Sequence, residues 1–510
     1  MVNDAIRAAA VLPWYREEKI IRDLIREFEA DQKRQEMIDG QRYYNNEGDI
    51  TTRVIYFWDR NKEKQVDVTK PNNKIAHAFM KLLVDEKIGY FLGSSPNIAA
   101  ENGQMQEKLI TIFDESFDDV LNDVGVEASN KGIAWLYVYL GQAEPGEKPP
   151  LLFELIPSEQ VIPIWEDRAH RMLAGLVNYY YMTDYDLETG QQNDVLKVEC
   201  WHPDGVLFYT EYDGKLVEDI RAMFPDMQER EIPEAGLPHF VINGKGQSWG
   251  MVPFVPFRNN SQELNDLRFV RGLLDAYDIG VSDLSNTLEE LRKLVLVLKN
   301  YQGTDLQVFM DNLRYFGAVK VDEDGGVDKL DLTFNSEGTT SYLDRLKKDI
   351  YQFGQGVNMD TDKFGQNPSG VALEFLYSGL KLKTDSLERK FKAAFVKMFQ
   401  IACTYLAAIG EGSFDWRIAK VTFNRSIVSN VMENIEAVAT SMGMISNKTS
   451  ISHHPWVDDI DQELEQIEAD DKLKLDRIPM GAADDEADDD EANNEDGDEA
   501  DSPESGGGDA

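Results

Sequence analysis

The sequence predicts an α+β chain that is mainly helical, and three observations carry that reading. Apolar residues recur at three-and-four spacing in long stretches towards both ends, β-branched and aromatic residues cluster between turn signals from Leu151 to Val255, and no proline interrupts Val371 to Ala408. With 510 residues, the chain has room for two to four structural units and a large buried core.

The elements follow in order. Residues 14–39, WYREEKIIRDLIREFEADQKRQEMID, put Ile20, Ile21, Leu24, Ile25 and Phe28 on one face, which predicts an amphipathic helix ended by Gly40. RYYNNEGDI is rich in turn residues, and TTRVIYFWD reads as a strand. Pro71-Asn72-Asn73 opens a second helix, KIAHAFMKLLVDEKIGYFLG, with Ile75, Ala78, Phe79, Leu82, Leu83 and Ile88 as its stripe and Gly93 as its end. Gln104 to Asn130 is helical again, and GIAWLYVYL is a short apolar strand. From Leu151 to Val255, Pro203-Asp204-Gly205 and Asp213-Gly214 mark hairpins in an antiparallel sheet.

Gln262 to Lys299 reads as a long helical stretch with a break near Gly280. Arg292 to Phe334 then forms a small α/β insert, a projecting unit on paired stalks. The second stalk, GTTSYLDRLKKDIYQFGQGV, leads into NMDTDKFGQNPSG, whose glycines, Pro368 and charged residues predict an exposed, mobile loop. The proline-free stretch that follows makes a helix of about 55 Å. A bend is expected at Ser378 and Gly379, where a missing side chain lowers the cost of bending. After Gly410 come a strand in DWRIAKVTFNR, a helix in SIVSNVMENIEAVATSMGM and a helical pair before Asp476. Beyond Pro479 the composition cannot bury apolar area and predicts disorder.

Charge and motifs narrow the chemistry. The net charge is -41, and Asp484 to Ala510 holds fourteen acidic residues without a Lys or Arg, so the rest of the chain is also strongly acidic. That balance opposes a tight grip on nucleic acid but suits a wall past which nucleic acid slides. Cys200 and Cys403 are far apart and read as buried, reduced thiols. No P-loop, HExxH or CxxC motif is present. The GxSxG match at Gly246, Ser248 and Gly250 is followed by MVPFVPF, not by the helix a nucleophile elbow needs. Acidic runs such as Asp322 to Asp324 lack calcium-loop spacing and read as solvated surface. The N-terminus has no secretory pattern, and no apolar run reaches membrane-spanning length, so a soluble protein made in the cytoplasm is expected.

The stalks, insert, loop and long helix occur here with RYYNNEGDI, NNKIAHAFMKLLVDEKIGYFLGSSP, VPFVPFRNNSQELNDLRFVRGLLDAYDIGVSDLSNTLEEL and closing helices before an acidic tail. In this order they resemble the portal proteins of long-tailed bacteriophages, in the subgroup typical of Gram-positive hosts, over residues 15–475. The resemblance implies a portal fold of wing, stem, clip and crown. Residues 1–261 would be an α+β wing, 262–291 and 336–357 the stem helices, 292–335 an α/β clip, and 358–370 a tunnel loop. Residues 371–424 would hold the long bent wing helix and a strand, 425–478 the crown, and 479–510 a disordered tail.

The resemblance also implies a homo-oligomeric ring of twelve subunits at one capsid vertex of the virion, assembled in the host cytoplasm. It would conduct double-stranded DNA in packaging, retention and ejection, with terminase, the major capsid and scaffolding proteins and the head-tail adaptor as partners. No enzymatic activity, cofactor, metal or membrane is implied; ATP hydrolysis would belong to terminase. Asn358, Asp360, Asp362, Lys363, Gln366 and Asn367 are then the loop candidates for facing DNA. Arg345, Lys347 and Lys348 are stem candidates for weak phosphate contacts, or for pairing with Asp344, Asp349 or a neighbouring subunit's carboxylates. The residues alone also admit a metal-dependent nucleic-acid enzyme, or a structural head or adaptor protein without a channel.

Overall fold

The computed structural model describes residues 13–143, 146–185, 192–219, 236–291, 296–299, 326–329, 336–358, 370–425, 438–452 and 460–476, with a few isolated positions besides. These form two compact units, Met1–Val428 and Ser429–Ala510.

The first unit opens with two helices, α1 (Glu18–Glu29) and α2 (Gln32–Tyr44), where the sequence suggests one. Asp31 separates them, because its side chain accepts from the Lys33 amide at 2.9 Å and caps the second helix. Gly40 does not end the helix but lies inside α2. A Cβ there would sit 1.8 Å from the Asn130 carbonyl oxygen, so this glycine is required by a close crossing. The strand read in TTRVIYFWD is reduced to β1 (Tyr56–Trp58), paired antiparallel with β2 (Lys64–Val66); Thr51 and Thr52 belong to a 3₁₀ turn.

Helix α3 (Phe79–Leu92) begins five residues later than the sequence suggests. Residues 73–77 are held extended by side chains of a helix some two hundred positions on. The Asn73, Ile75 and His77 amides donate to Asn286 Oδ1, Ser282 Oγ and Asp278 Oδ1 at 2.8, 3.0 and 3.1 Å. Every second residue of this segment meets every fourth helix residue, because two residues of extended chain and four of a helix both advance by about 6 Å.

After β3 (Asn97–Ala100), the expected single helix is again two, α4 (Gly103–Ile112) and α5 (Glu115–Lys131), with Asp114 capping the second through the Ser116 and Phe117 amides. Strands β4 (Ile133–Leu140), β5 (Leu151–Ile156), β6 (Val161–Trp165), β7 (Leu173–Tyr185), β8 (Gln192–His202), β9 (Gly205–Tyr212) and β10 (Lys215–Glu218) follow, then β11 (Phe240–Ile242), β12 (Lys245–Gln247) and β13 (Phe254–Arg258). All their pairings are antiparallel, as expected. The largest sheet has the order β10-β9-β8-β7-β6. Its Pro203-Asp204 and Asp213-Gly214 turns fall where the sequence puts them, with Asp213 and Gly214 both at positive φ.

Helix α6 (Arg271–Leu291) starts nine residues after the predicted Gln262 and runs unbroken through Gly280. Asn260 Oδ1 accepts from the Gln262 and Leu264 amides, both at 3.1 Å, and this local turn competes with helix. Strands β14 (Leu296–Lys299) and β15 (Gly326–Lys329) pair antiparallel. Helix α7 (Ser336–Gly354) and the 39-residue α8 (Gly370–Ala408) match the sequence reading closely, and β16 (Ala419–Thr422) pairs with β3.

The C-terminal half of α8 is the axis of the main core. Leu387, Phe391, Phe395, Met398, Phe399 and Leu406 are each at most 1% exposed. Phe391 meets Phe91 edge-on at 5.3 Å, and Phe395 meets Phe117 at 6.0 Å. Each such phenylalanine contributes about 1.5–3 kcal/mol by burial. A second core lies between α1 (Ile21, Leu24, Ile25) and the five-stranded sheet (Val177, Tyr179, Val198, Leu207). Cys200 and Cys403 are free and buried, as expected.

In the second unit, α9 (Asn447–Ser452) packs against α10 (Ile460–Asp476), the expected helical pair. The helix predicted from Ser426 lies mostly outside the described residues, as does the acidic tail.

Candidate functional site: the helix pair and its junction with the long helix

Helices α6 and α7, which cover most of the two stretches read as stalks, pack side by side. Gly280 permits the contact, because a Cβ there would lie 3.0 Å from Leu343 Cδ2. An aromatic knot fixes the pair to the start of α3: Tyr277 meets His77 at 4.9 Å and Phe79 at 5.1 Å, and Phe79 meets Tyr351 at 6.1 Å. The first turn of α6 is held by Arg271, which bridges Asp39 and Asp49 at 2.8 and 3.1 Å.

On α7, Leu346 and Ile350 are buried while Arg345 and Lys348 lie on the exposed face one turn apart; Lys347 is half-buried. Arg345 pairs with Asp349 at 2.9 Å, and its side chain is 73% exposed. Such an exposed pair contributes little stability, so its guanidinium is readily exchanged to another anion.

The end of α7 is built with more care than its face. Gln355 adopts a left-handed φ of 56°, and the Gly356 amide returns to the Tyr351 carbonyl at 3.0 Å. Helix α3 packs below: added Cβ atoms on Gly354 and Gly356 would lie 2.7 and 2.3 Å from Leu83 methyls, so neither position takes a side chain without displacing Leu83. Val357 is 2% exposed among Tyr90, Leu376, Tyr377 and Leu380.

Two charged groups then hold the backbone. The Val357 amide donates to Glu86 Oε2 at 2.9 Å, and Lys383 Nζ donates to the Gly354 carbonyl at 3.0 Å. Lys383 also lies 3.0 Å from Asp266 Oδ2. The fully buried Lys87 donates to that same oxygen at 3.0 Å, to Ser129 Oγ at 3.0 Å and to Asn259 Oδ1 at 2.5 Å. Burial pushes the Asp266 carboxyl up, but Lys383, Lys87 and Asn259 outweigh it and hold it far below the ordinary carboxylate range. Burial pushes the Glu86 carboxyl up, with the Val357 amide and Lys383 opposing.

Of the candidate loop residues, Asn358 is described and half-buried at the end of this junction. Asp360, Asp362, Lys363, Gln366 and Asn367 lie outside the described residues. Helix α8 runs through Ser378 and Gly379 without interruption, with Ser378 Oγ donating to the Phe375 carbonyl at 2.7 Å. Gly379 faces the junction, the nearest atoms to an added Cβ being Cα and Cβ of Gln355 at 3.8 Å. Ser248 donates to the Asp204 carbonyl beside the β11–β12 hairpin, which is not a nucleophile elbow. Among the described residues no group of His, Cys, Asp and Glu is placed to hold a metal, and no helix is long and apolar enough to cross a membrane.

The family model described as "Phage portal protein, SPP1 Gp6-like" matches residues 27–474, which takes in the helix pair, the junction and the whole of α8. The chain belongs to the phage portal protein family. The portal protein of Bacillus phage SPP1 is 31% identical over 435 residues, 85% of this chain and 83% of that one. That of Clostridium phage phiCD119 is 29% identical over 449 residues, 86% and 93% of the two chains. The α+β fold expected from the portal resemblance is therefore the fold observed.

In this portal chain the charged junction residues are what sequence reasoning passes over. A signal exists: Lys87 stands between Leu83 and Phe91 at spacing four, on the buried face of α3, and Lys383 stands three and four places from Leu380 and Leu387. A lysine on an apolar stripe needs a buried counter-charge, but spacing cannot name Asp266 as that partner.

Proposed function

We propose that this chain forms a ring-shaped channel at one capsid vertex, through which double-stranded DNA is packaged, retained and ejected. The family match over residues 27–474 carries this reading. The ring docks the terminase motor and later the head-tail adaptor, and contacts the major capsid and scaffolding proteins. Twelve copies of a 57.9 kDa chain give a particle of about 0.7 MDa, to be seen by mass measurement and particle imaging as a ring with a central hole. A particle without a hole would refute the channel. Assembly takes place in the host cytoplasm, and the finished ring resides in the virion. No step asks the chain itself for catalysis, a cofactor or a metal.

In this scheme residues 1–261 are the wing, α6 and α7 the stem, 292–335 the clip, 358–370 the tunnel loop, and 425–478 the crown. Helix α8 is the wing helix beneath the loop, with its bend at Ser378 and Gly379; a serine hydroxyl bonded back to a helical carbonyl, as at Ser378, favours bending. The Arg345 and Lys348 face supplies weak phosphate contacts, and the chain's acidity keeps DNA from adhering. Asp360, Asp362, Lys363, Gln366 and Asn367 line the narrowest part.

Two expected results follow from these assignments. Replacing residues 360–367 by a short glycine linker leaves rings intact and reduces the DNA packaged per head, measured by nuclease-protected DNA in purified particles; unchanged packaging would refute the loop assignment. Truncation at Pro479 leaves ring formation unaltered, because a tail dominated by Asp, Glu, Asn, Gly and Ala has little apolar surface to contribute; loss of rings in electron micrographs would count against it.

A further inference from the structure

The β1–β2 hairpin is an anomaly in this fold. Tyr56, Phe57 and Trp58 are 48, 43 and 70% exposed, and Val66 and Val68 are 52 and 87% exposed. Successive strand residues point to opposite faces, so both sides of this two-stranded ribbon present large apolar groups to water. An isolated two-stranded hairpin is marginal in water, and an uncovered apolar edge is an aggregation hazard. Such a ribbon is expected to have a partner that covers it.

Charge and attachment identify that partner. Residues 53–74 carry Arg53, Arg60, Lys62, Lys64, Lys70 and Lys74 against Asp59, Glu63 and Asp67, an excess of positive charge within a chain of net charge -41. The segment's electrostatic complement is the surface of the same protein. Both of its roots are tied to α6: Arg53 pairs with Asp283 at 2.7 Å, and the Asn73 and Ile75 amides donate to Asn286 and Ser282. The roots are also closed on each other, through Asn72 Nδ2 to the Arg53 carbonyl at 3.1 Å and Lys74 Nζ to the Thr51 carbonyl at 3.0 Å. A ribbon anchored at both ends to a stem helix is placed to reach the next stem of a ring. Heterologous ring contacts join two different patches of one chain, and a basic, apolar arm on an otherwise acidic chain is suited to one side of such a contact. Duplex DNA would answer the charge, but it offers no unstacked base faces for Phe57 and Trp58 and nothing apolar for Val66 and Val68.

We propose that the β1–β2 hairpin is an intersubunit arm that docks on the adjacent copy of this chain. The proposal rests on the ring reading above and adds to it the residues that hold copies together. Two variants of the full chain test it by native mass spectrometry across a concentration series. The first replaces residues 56–66 with a Gly-Ser turn, and the second is Arg60→Glu with Lys62→Glu, at two exposed positions outside the core.

The expected result is a wild-type ring, with either variant requiring at least tenfold higher concentration to assemble while melting within a few degrees of wild type. Rings at the wild-type concentration in both variants would overturn the arm while leaving the ring reading in place. Rings that persist but lose retention of duplex DNA would make DNA the occupant and overturn it equally. A wild-type chain that stays monomeric would overturn the ring reading and the arm with it.

Discussion

Asp266→Ala is expected to lower the unfolding free energy of the first unit by about 3–5 kcal/mol, the usual cost of leaving buried charge uncompensated. Asp266 is 7% exposed and is the shared acceptor of Lys87 and Lys383, so its loss leaves two ammonium groups without their common counter-charge. Urea midpoints at neutral pH measure the effect. Lys87→Met should cost less, because Asp266 keeps Lys383. Adding Lys87→Met to Asp266→Ala should recover part of the loss, since one stranded ammonium is then gone; strictly additive losses would contradict the arrangement.

The acid limb gives an independent check. The folded-state pKa of Asp266 lies below the unfolded value of about 3.9, so its stabilisation is fully present above that value and is lost as pH falls through and below it. Asp266→Asn should therefore flatten the decline of stability below about pH 4.

The same group of residues explains what could be read from the sequence and what could not. Helices α7 and α8 were legible because their stripes are local, and the β8–β9 and β9–β10 hairpins because the Pro203-Asp204 and Asp213-Gly214 pairs are local turn signals. The starts of α3 and α6 were not. At residues 73–77 the competing partners are Asp278, Ser282 and Asn286, and no local propensity reports a ladder formed across two hundred residues. At residues 260–266 the Asn260 turn was visible in principle, but an apolar stripe at Leu264, Leu267 and Val270 outweighed it. Gly40 read as a helix end because glycine is common there; only the nearby Asn130 carbonyl shows that it serves a crossing. The portal family was legible through motif order, whereas Glu86, Lys87, Asp266 and Lys383 come together only through folding.

Lys383→Met and Glu86→Leu should each release the end of α7 without unfolding the unit. Each removes one charge-assisted hydrogen bond to the junction backbone, at Gly354 or at Val357. Bonds of this kind contribute about 1.5–3 kcal/mol, so local opening should rise roughly ten- to a hundredfold. Amide exchange of residues 351–358 in assembled rings reads that opening directly. Exchange in residues 387–406 should not change, since their protection comes from the phenylalanine core and not from the junction.

Glu86→Gln separates position from charge. Its amide oxygen still accepts from Val357, so it should behave nearly as wild type while Glu86→Leu does not. If residues 358–370 are the proposed tunnel loop and the junction sets where they enter the channel, Lys383→Met and Glu86→Leu also lower the fraction of DNA-filled heads, and Glu86→Gln leaves it unchanged. Lys87→Met is the control for stability alone, because it weakens the same buried group without touching Gly354 or Val357. A packaging loss in Lys87→Met as large as in Lys383→Met would mean that packaging follows stability and not the position of the end of α7.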